Sequence, residues 1–118
     1  MPTVLVVDDD ESIRALVGRS LTQAGYDVLT AEDAIVAGHL VLGRPPDLIV
    51  LDVNLPYMDG YEFAAALKGD NTLPFIPIIF LTVETNGRGR AMELGAVGYV
   101  RKPFENEALV SLVRQHLA

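Results

Sequence analysis

The sequence contains no cysteine among its 118 residues. Disulfide bonds, cysteine-ligated zinc, iron–sulfur clusters and thiol catalysis are therefore excluded, and a reducing compartment is compatible with the composition. Long hydrophobic runs are also missing, since an uncharged stretch over residues 72–83 contains two prolines and is about half as long as a membrane span. The start of the chain has no lysine or arginine before its first aspartate, unlike a signal peptide. We expect a cytoplasmic protein that does not bind membranes.

Basic residues are few. Nine Lys and Arg stand against sixteen Asp and Glu, which gives a formal net charge of -7, and the basic residues are scattered along the chain. An acidic protein repels the phosphate backbone of nucleic acids unless its basic residues are concentrated on one face. We therefore expect no direct nucleic-acid binding by this chain, and partners that are proteins, cations or small molecules.

Half of the residues are hydrophobic, and the length suits one domain, expected to cover residues 1–118. Short apolar runs alternate with segments of helical period, which is typical of a parallel sheet with crossover helices. Strands are predicted at residues 4–7, 26–30, 48–51, 76–81 and 97–100, and helices at 11–24, 32–42, 61–68, 84–95 and 105–117. Glycines weaken the fourth helix. The pattern predicts an α/β three-layer sandwich with a five-stranded parallel sheet and five helices.

The helical spacing also predicts which apolar side chains face the sheet. The inward-facing sets are Ile13, Leu16, Val17, Leu21 and Ala24 in the first helix, Ala34, Ile35, Val41 and Leu42 in the second, and Leu109, Leu112, Val113 and Leu117 in the last.

Polar residues follow four of the predicted strands, where the functional crevice of an open parallel sheet lies. They are Asp8, Asp9 and Asp10 after the first strand, Asp52 after the third, Thr82 after the fourth and Lys102 after the fifth. Two carboxylates about 4 Å apart repel by roughly 4 kcal/mol at an effective dielectric constant of about 20, so such a cluster needs a cation or a raised pKa. Mg²⁺ suits it, because Mg²⁺ binds one or two carboxylates together with water and phosphate oxygens.

With Mg²⁺ on one phosphoryl oxygen, Lys102 can neutralise a second, and the Thr82 hydroxyl can bind a third while Asp52 supplies a nucleophilic carboxylate. This set suits an aspartyl phosphate, and it needs no general base because phosphoryl transfer depends mainly on positioning and charge neutralisation. Each residue also has an ordinary structural interpretation. Asp10 is expected to be a helix N-cap, and the two histidines match no metal-ligand spacing.

The segments VLVVDDDESIR, PDLIVLDVNLPYMDGYE, IIFLT, GAVGYV and RKPF resemble, in order and spacing, the receiver domains of two-component response regulators. The resemblance covers nearly the whole chain. It implies a flavodoxin-like strand order 2-1-3-4-5 and a regulatory role in a phosphorelay, with no enzymatic activity beyond the domain's own phosphorylation and dephosphorylation. The implied partners are a histidine kinase or histidine phosphotransfer protein, and a downstream protein target or tethered output domain.

By position, the resemblance makes Asp52 the phosphoacceptor. It makes Asp9 a direct Mg²⁺ ligand, with Asp8 acting through a bound water, Asp52 in the same site and the carbonyl of Asn54 completing the protein ligands. It further implies that Lys102 contacts the phosphoryl group.

The resemblance also implies that Thr82 contacts the phosphoryl group and that Tyr99 rotates inward on activation. The signal would change a surface around the fourth helix, the fifth strand and the fifth helix. The Lys102–Pro103 bond is expected to be cis.

Two features depart from the family pattern, and a third observation opposes their effect. Thr82 and Lys102 are 20 positions apart, which is shorter than is typical of the family. Val83 follows the threonine, where a smaller residue is usual, and its branched side chain would narrow access to an acyl phosphate. Asn54 and Glu84 are polar and could orient an attacking water, so the sequence leaves the phosphoryl lifetime open.

Other classes remain as alternatives. A haloacid-dehalogenase-type phosphatase also uses an aspartyl nucleophile, but its second catalytic aspartate would stand where this chain has Asn54. A flavodoxin-like FMN protein would need a hydroxyl- and glycine-rich phosphate loop after the first strand, where three aspartates would repel the phosphate. A docking scaffold that is never phosphorylated would not need the complete set of polar residues.

Overall fold

A computed structural model describes residues 1–117, so Ala118, the last residue of the predicted domain, lies outside the described residues. Five parallel strands form one sheet in the order β2-β1-β3-β4-β5, as the family resemblance implied. The strands are β1 Thr3–Val7, β2 Asp27–Ala31, β3 Leu48–Asp52, β4 Ile78–Thr82 and β5 Ala96–Arg101. The helices are α1 Glu11–Gln23, α2 Ala34–Gly43, α3 Gly60–Lys68, α4 Arg88–Glu93 and α5 Asn106–His116.

The sheet is covered on both faces, which makes the three predicted layers. One core cluster joins the sheet to α2, α3 and α4, and it includes Leu51 and Phe80. The other joins the sheet to α1 and α5, and it includes Val50 and Leu81. Every residue of β3 and β4 is buried. This explains their continuous apolar runs, because a parallel strand packed on both faces has no solvent side.

Most predicted boundaries are shifted by one or more residues, and three of the shifts have a local explanation. Strand β4 begins at Ile78 because Pro77 has no N–H to donate to the sheet. Helix α2 begins at Ala34 because the Asp33 side chain is its N-cap and accepts a hydrogen bond from the Val36 backbone N–H (2.9 Å). Helix α4 has only six residues, and its N-cap, Gly87, offers no side chain to cap it.

The predicted inward faces are partly wrong. Leu16, Ile35 and Leu42 were expected to face the sheet, but 42%, 55% and 64% of their surfaces are exposed. Helix α1 packs through Val17 and Leu21. In helix α2 the predictions for Ala34 and Val41 are confirmed, since both are buried, and Ala37 completes the inward arc in place of Ile35 and Leu42. The prediction for α5 is confirmed for Leu109 and Val113, which are buried, while Leu112 and Leu117 pack against the same cluster.

Within residues 1–117, no helix has the length and apolar character that crossing a bilayer requires.

Candidate functional site

The polar residues predicted at the strand ends come together because of the sheet register. Val7 lies beside Leu51, so the residues that follow them, Asp8 and Asp52, emerge side by side. Strand β4 continues one residue further than β3 with Thr82. The Lys102 backbone N–H donates to the Thr82 carbonyl at 2.7 Å. Four neighbouring strands thus deliver their polar residues to one edge of the sheet.

A buried ion-pair network forms the centre of the site. The Lys102 Nζ donates to Asp8 Oδ2 at 2.8 Å and lies 3.4 Å from Asp52 Oδ1. Burial and the nearby Asp8 charge raise the pKa of Asp52 from 3.8 to about 6, although Lys102 opposes that shift. Burial alone would lower the pKa of Lys102, but its contacts with both carboxylates outweigh that effect and raise it. Lys102 is therefore a stable cation between two carboxylates.

The carboxylates of Asp8, Asp9 and Asp52 form a group that could hold a metal ion, since one oxygen from each lies within 4.8 Å of the others. Asp8 and Asp52 are buried, whereas Asp9 is exposed and leaves the group open to solvent. When all three carboxylates are ionised, their negative charge exceeds the single positive charge of the Lys102 ammonium. A hard cation with oxygen ligands, such as Mg²⁺, fits both this donor set and the uncompensated negative charge.

Backbone groups hold the two buried carboxylates in place. The Asn54 N–H donates to Asp52 Oδ1 at 3.3 Å, and the Asp10 N–H donates to Asp8 Oδ1 at 2.9 Å. Arg14 Nη1 donates to the Asp8 carbonyl at 2.7 Å. The predicted ligand Asn54 is therefore beside the site, with its side chain exposed.

The start of α3 packs tightly against the end of β3. The Gly60 N–H donates to the Val53 carbonyl at 2.8 Å, and a Cβ at Gly60 would overlap the Asp52 carbonyl oxygen. Asp59 caps this helix through a reciprocal pair of hydrogen bonds with Glu62. Helix α3 therefore begins at the Asp59-Gly60 pair, and only glycine allows the helix to approach the Asp52 backbone so closely.

Thr82 is fully buried at the end of β4. Its Oγ1 accepts a hydrogen bond from the Glu84 N–H at 3.0 Å, which leaves the hydroxyl proton available to another acceptor. The Val83 side chain is exposed.

Asp10 is the N-cap of α1, as predicted, because its side chain accepts hydrogen bonds from the backbone N–H groups of Ser12 and Ile13.

Tyr99 is half-buried on β5. Its hydroxyl oxygen is 3.3 Å from that of Tyr61 on α3, a pairing that the sequence analysis did not identify. Burial and this hydrogen bond raise the pKa of Tyr61. The sequence did contain a feature that could have indicated this pairing. Tyr61 follows Gly60 at the start of the capped helix α3, and its ring packs against Phe80 of the sheet.

Two other expectations concern single residues. The Lys102–Pro103 peptide bond is cis, as the resemblance implied. The two histidines, His39 and His116, are exposed at the helix surface and remote in sequence from the carboxylate group.

The sequence matches the family described as "Response regulator receiver domain" over residues 4–114. It is 40% identical over 114 residues to the phosphate regulon transcriptional regulatory protein PhoB of Pseudomonas aeruginosa, covering 95% of this chain and 50% of that protein. It is 44% identical over 103 residues to the alkaline phosphatase synthesis transcriptional regulatory protein PhoP of Bacillus subtilis, covering 86% of this chain and 42% of that one. The chain thus spans about half the length of these curated relatives.

Solved structures of similar size share the fold. The chemotaxis protein CheY4 of Vibrio cholerae matches with a TM-score of 0.90 and 38% identity, covering 98% of both chains. The receiver domain of the Francisella response regulator 1452 matches with a TM-score of 0.90 and 30% identity, covering 98% of this chain and 95% of that one. These matches favour a regulatory domain over the phosphatase and flavoprotein alternatives.

Proposed function

Since the chain belongs to the response regulator receiver domain family of two-component systems, we propose that Asp52 accepts a phosphoryl group from a phosphohistidine. The donor would be a histidine kinase or a histidine phosphotransfer protein. The observation that carries this proposal is the ion pair between Asp52 and Lys102 beside the carboxylates of Asp8 and Asp9. A buried nucleophile with a fixed cation and an adjoining group of oxygen ligands suits phosphoryl transfer.

The second carboxylate oxygen of Asp52 is the reacting atom. Oδ1 is occupied by the Asn54 N–H and by Lys102, whereas Oδ2 has no hydrogen-bond or ion-pair partner among residues 1–117. In the transfer, a P–O bond forms to Oδ2 as the P–N bond of the donor breaks, and the departing imidazole keeps the electron pair of that bond. Because the pKa of Asp52 is about 6, most of the carboxylate is ionised and nucleophilic at neutral pH.

Asp8, Asp9, Asp52 and the backbone carbonyl of Asn54 would hold Mg²⁺. When bound, the ion supplies positive charge that offsets the phosphoryl oxygens and the three carboxylates. This chain's residues supply the remaining contacts. Lys102 Nζ, already within reach of Asp52, would neutralise a phosphoryl oxygen.

Thr82 would bind another phosphoryl oxygen. Its hydroxyl already accepts from the Glu84 N–H, so the one proton that it can donate is available for that contact. Movement of Thr82 toward the phosphoryl group would then favour an inward position of Tyr99, changing the surface formed by α4, β5 and α5.

The scope of the signalling unit is also part of the proposal. Residues 1–118 would form one receiver domain in the cytoplasm, with a downstream protein target or a tethered output domain.

A phosphodonor would dock on the rim near Ile13, Arg14 and Phe104. The side chains of Ile13 and Phe104 are half-buried against the core, so the exposed part of each side chain is free to contact a partner. Nucleic-acid binding would be left to an output partner rather than to this chain.

Phosphorylation can be tested with acetyl phosphate and Mg²⁺, followed by intact-mass spectrometry. We expect one added phosphoryl group on the wild-type chain and none on Asp52→Asn, while Asp10→Asn, which changes an exposed acid in the adjoining loop, keeps the wild-type yield. Borohydride reduction converts an aspartyl phosphate to homoserine and would locate the modified residue. A wild-type chain that gains no mass with either acetyl phosphate or a phosphorylated phosphotransfer domain would instead support the scaffold alternative.

A further inference from the structure

Helix α2 is apolar on both of its faces. Its ten residues, Ala34–Gly43, include no charged residue, whereas each of the other four helices in residues 1–117 has at least one. The inward arc is buried, as described above, but Ile35 and Leu42 are more than half exposed, and His39 is exposed between them. A helix that is hydrophobic all round is normally buried on all sides. The outer face of α2 therefore lacks the polar character of a solvent-facing helix.

The exposed residues form one stripe. Ile35, His39 and Leu42 are spaced by four and then three positions, and residues with this spacing lie above one another on a single helix face. Val36, on the same side, is partly exposed. Single exposed apolar side chains are common on protein surfaces, but a continuous row is typical of a surface that contacts another protein.

The charges at the two ends of the stripe indicate which protein covers it. Glu32 precedes the helix and Arg44 follows it, and both are exposed and without an ion pair among residues 1–117. The stripe is thus negative at its start, uncharged along its length and positive at its end. An antiparallel copy of the same helix presents the reverse order, so opposite charges meet at both ends, and the two helix dipoles oppose each other favourably.

We propose that a second copy of this chain docks antiparallel on α2. In this arrangement, Glu32 meets Arg44 of the second copy, Ile35 lies opposite Leu42 of the second copy, and the two-fold axis passes near His39. Each contact occurs twice, as an isologous interface requires. A ten-residue helix is only about 15 Å long, so the contact is small and the dimer is weak and concentration-dependent. None of these residues belongs to the carboxylate site, so the Asp52→Asn variant self-associates like the wild type.

Sedimentation velocity of the full chain from about 10 µM to about 1 mM tests the proposal, over the range expected for a weak contact. We expect the wild type to shift from monomer toward dimer. Ile35→Lys and Leu42→Lys should each weaken the dimer at least about tenfold, which corresponds to 1.4 kcal/mol. Leu16→Lys and Met92→Lys are matched controls, since they place the same charge at exposed apolar positions on other helices, and they should leave the association unchanged.

Charge exchange tests the antiparallel orientation. Glu32→Lys and Arg44→Glu should each weaken the dimer, and the double variant should restore it, because the reversed charges again meet across the interface. Failure of the double variant to recover would overturn the orientation. A wild-type chain that stays monomeric over the whole range would overturn self-docking and leave the stripe to a different protein.

Cross-linking provides a second measurement, because a disulfide bond captures a weakly populated dimer covalently. The chain has no cysteine, so a single His39→Cys substitution reports on this surface alone. Mild oxidation should produce a disulfide-linked dimer with His39→Cys much faster than with Met92→Cys. Equal rates for the two variants would contradict a two-fold axis near residue 39.

Discussion

The hydroxyl oxygens of Tyr61 and Tyr99 lie 3.3 Å apart and join α3 to β5 beneath the start of α4. The Arg90 guanidinium lies over the Tyr61 ring, with its central carbon 4.7 Å from the ring centroid, and Arg88 lies 5.3 Å from that of Tyr99. A Cβ at Gly87, the N-cap of α4, would overlap the Tyr61 hydroxyl and come within 2.6 Å of the Tyr99 hydroxyl. The beginning of α4 therefore depends on the position of both rings.

The first prediction distinguishes the effect of tight packing at Gly87 from the effect of helix propensity at Gly89. Alanine at Gly87 should lower the free energy of unfolding and displace the tyrosine pair, because its Cβ has no space. Alanine at Gly89, where nothing lies within 4 Å, should stabilise the chain by up to about 1 kcal/mol, since alanine favours helix over glycine by that amount. Urea unfolding followed by circular dichroism measures both variants. Equal effects of the two substitutions would contradict the tight packing at Gly87.

The second prediction concerns the stability of α4 itself. This helix has six residues and no side-chain N-cap, whereas α3 begins with a capping box. Short, uncapped elements open at low free energy, so amide hydrogens over residues 84–95 should exchange faster than those of any other helix. Beryllofluoride bound at Asp52 should slow this exchange, and Thr82→Ala should weaken the protection. Exchange that is the same with and without beryllofluoride would locate the switching surface elsewhere.

The third prediction concerns the metal ligands. Asp9→Ala removes one of three clustered carboxylates, so it should abolish most of the Mg²⁺-induced rise in melting temperature. Without Mg²⁺ the variant should be no less stable than the wild type, because like-charge repulsion is relieved. Asp10→Ala is the control. It should cost about 1 kcal/mol through loss of the α1 cap yet keep the full response to Mg²⁺. An Asp9→Ala variant that keeps the wild-type response would show that Asp9 is not a ligand.

The fourth prediction concerns pH. The folded-state pKa of Asp52 is about 6, compared with an ordinary value of 3.8. Between these two pH values the folded chain therefore holds a proton that the unfolded chain has released. This stabilising contribution is complete below the ordinary value and is lost as the pH rises to about 6. The difference corresponds to on the order of 3 kcal/mol.

In Mg²⁺-free buffer, Asp52→Asn should lack this loss of stability and should be more stable than the wild type at pH 7. Chemical unfolding at several pH values measures it. Parallel pH profiles for the two proteins would show that the Asp52 carboxyl is not perturbed by burial.

The sequence was sufficient to predict the strands and the composition of the carboxylate site. Residues 48–51 of β3 lie between two helical layers and are therefore apolar, and this run ends at Asp52, the last residue of the strand, at the edge of the sheet. Parallel strands of similar length bring their carboxyl ends to one edge. Four strand ends with polar residues therefore predicted a common site before any distance was known.

Helix faces and boundaries were predicted less well. The sequence of α2 is apolar at nearly every position, so its periodicity could not distinguish the buried arc of Ala37 and Val41 from the exposed Ile35 and Leu42. Only the packing of the helix against the sheet selected one arc. In the same way, the glycines near α4 indicated a weak helix, while only the structure shows that it has six residues and that two tyrosines lie beneath its start.

The chain by itself determined which chemical groups end the strands, because local apolar patterns mark each strand and the polar residue that follows it, while the order of the strands was implied by the family resemblance. Tertiary structure decided how those groups interact. Which Asp52 oxygen faces Lys102, how strongly burial raises the pKa of Asp52, and that Tyr61 lies against Tyr99 all depend on distances between residues far apart in sequence. Such distances are set by side-chain packing across the sheet, which no local pattern encodes.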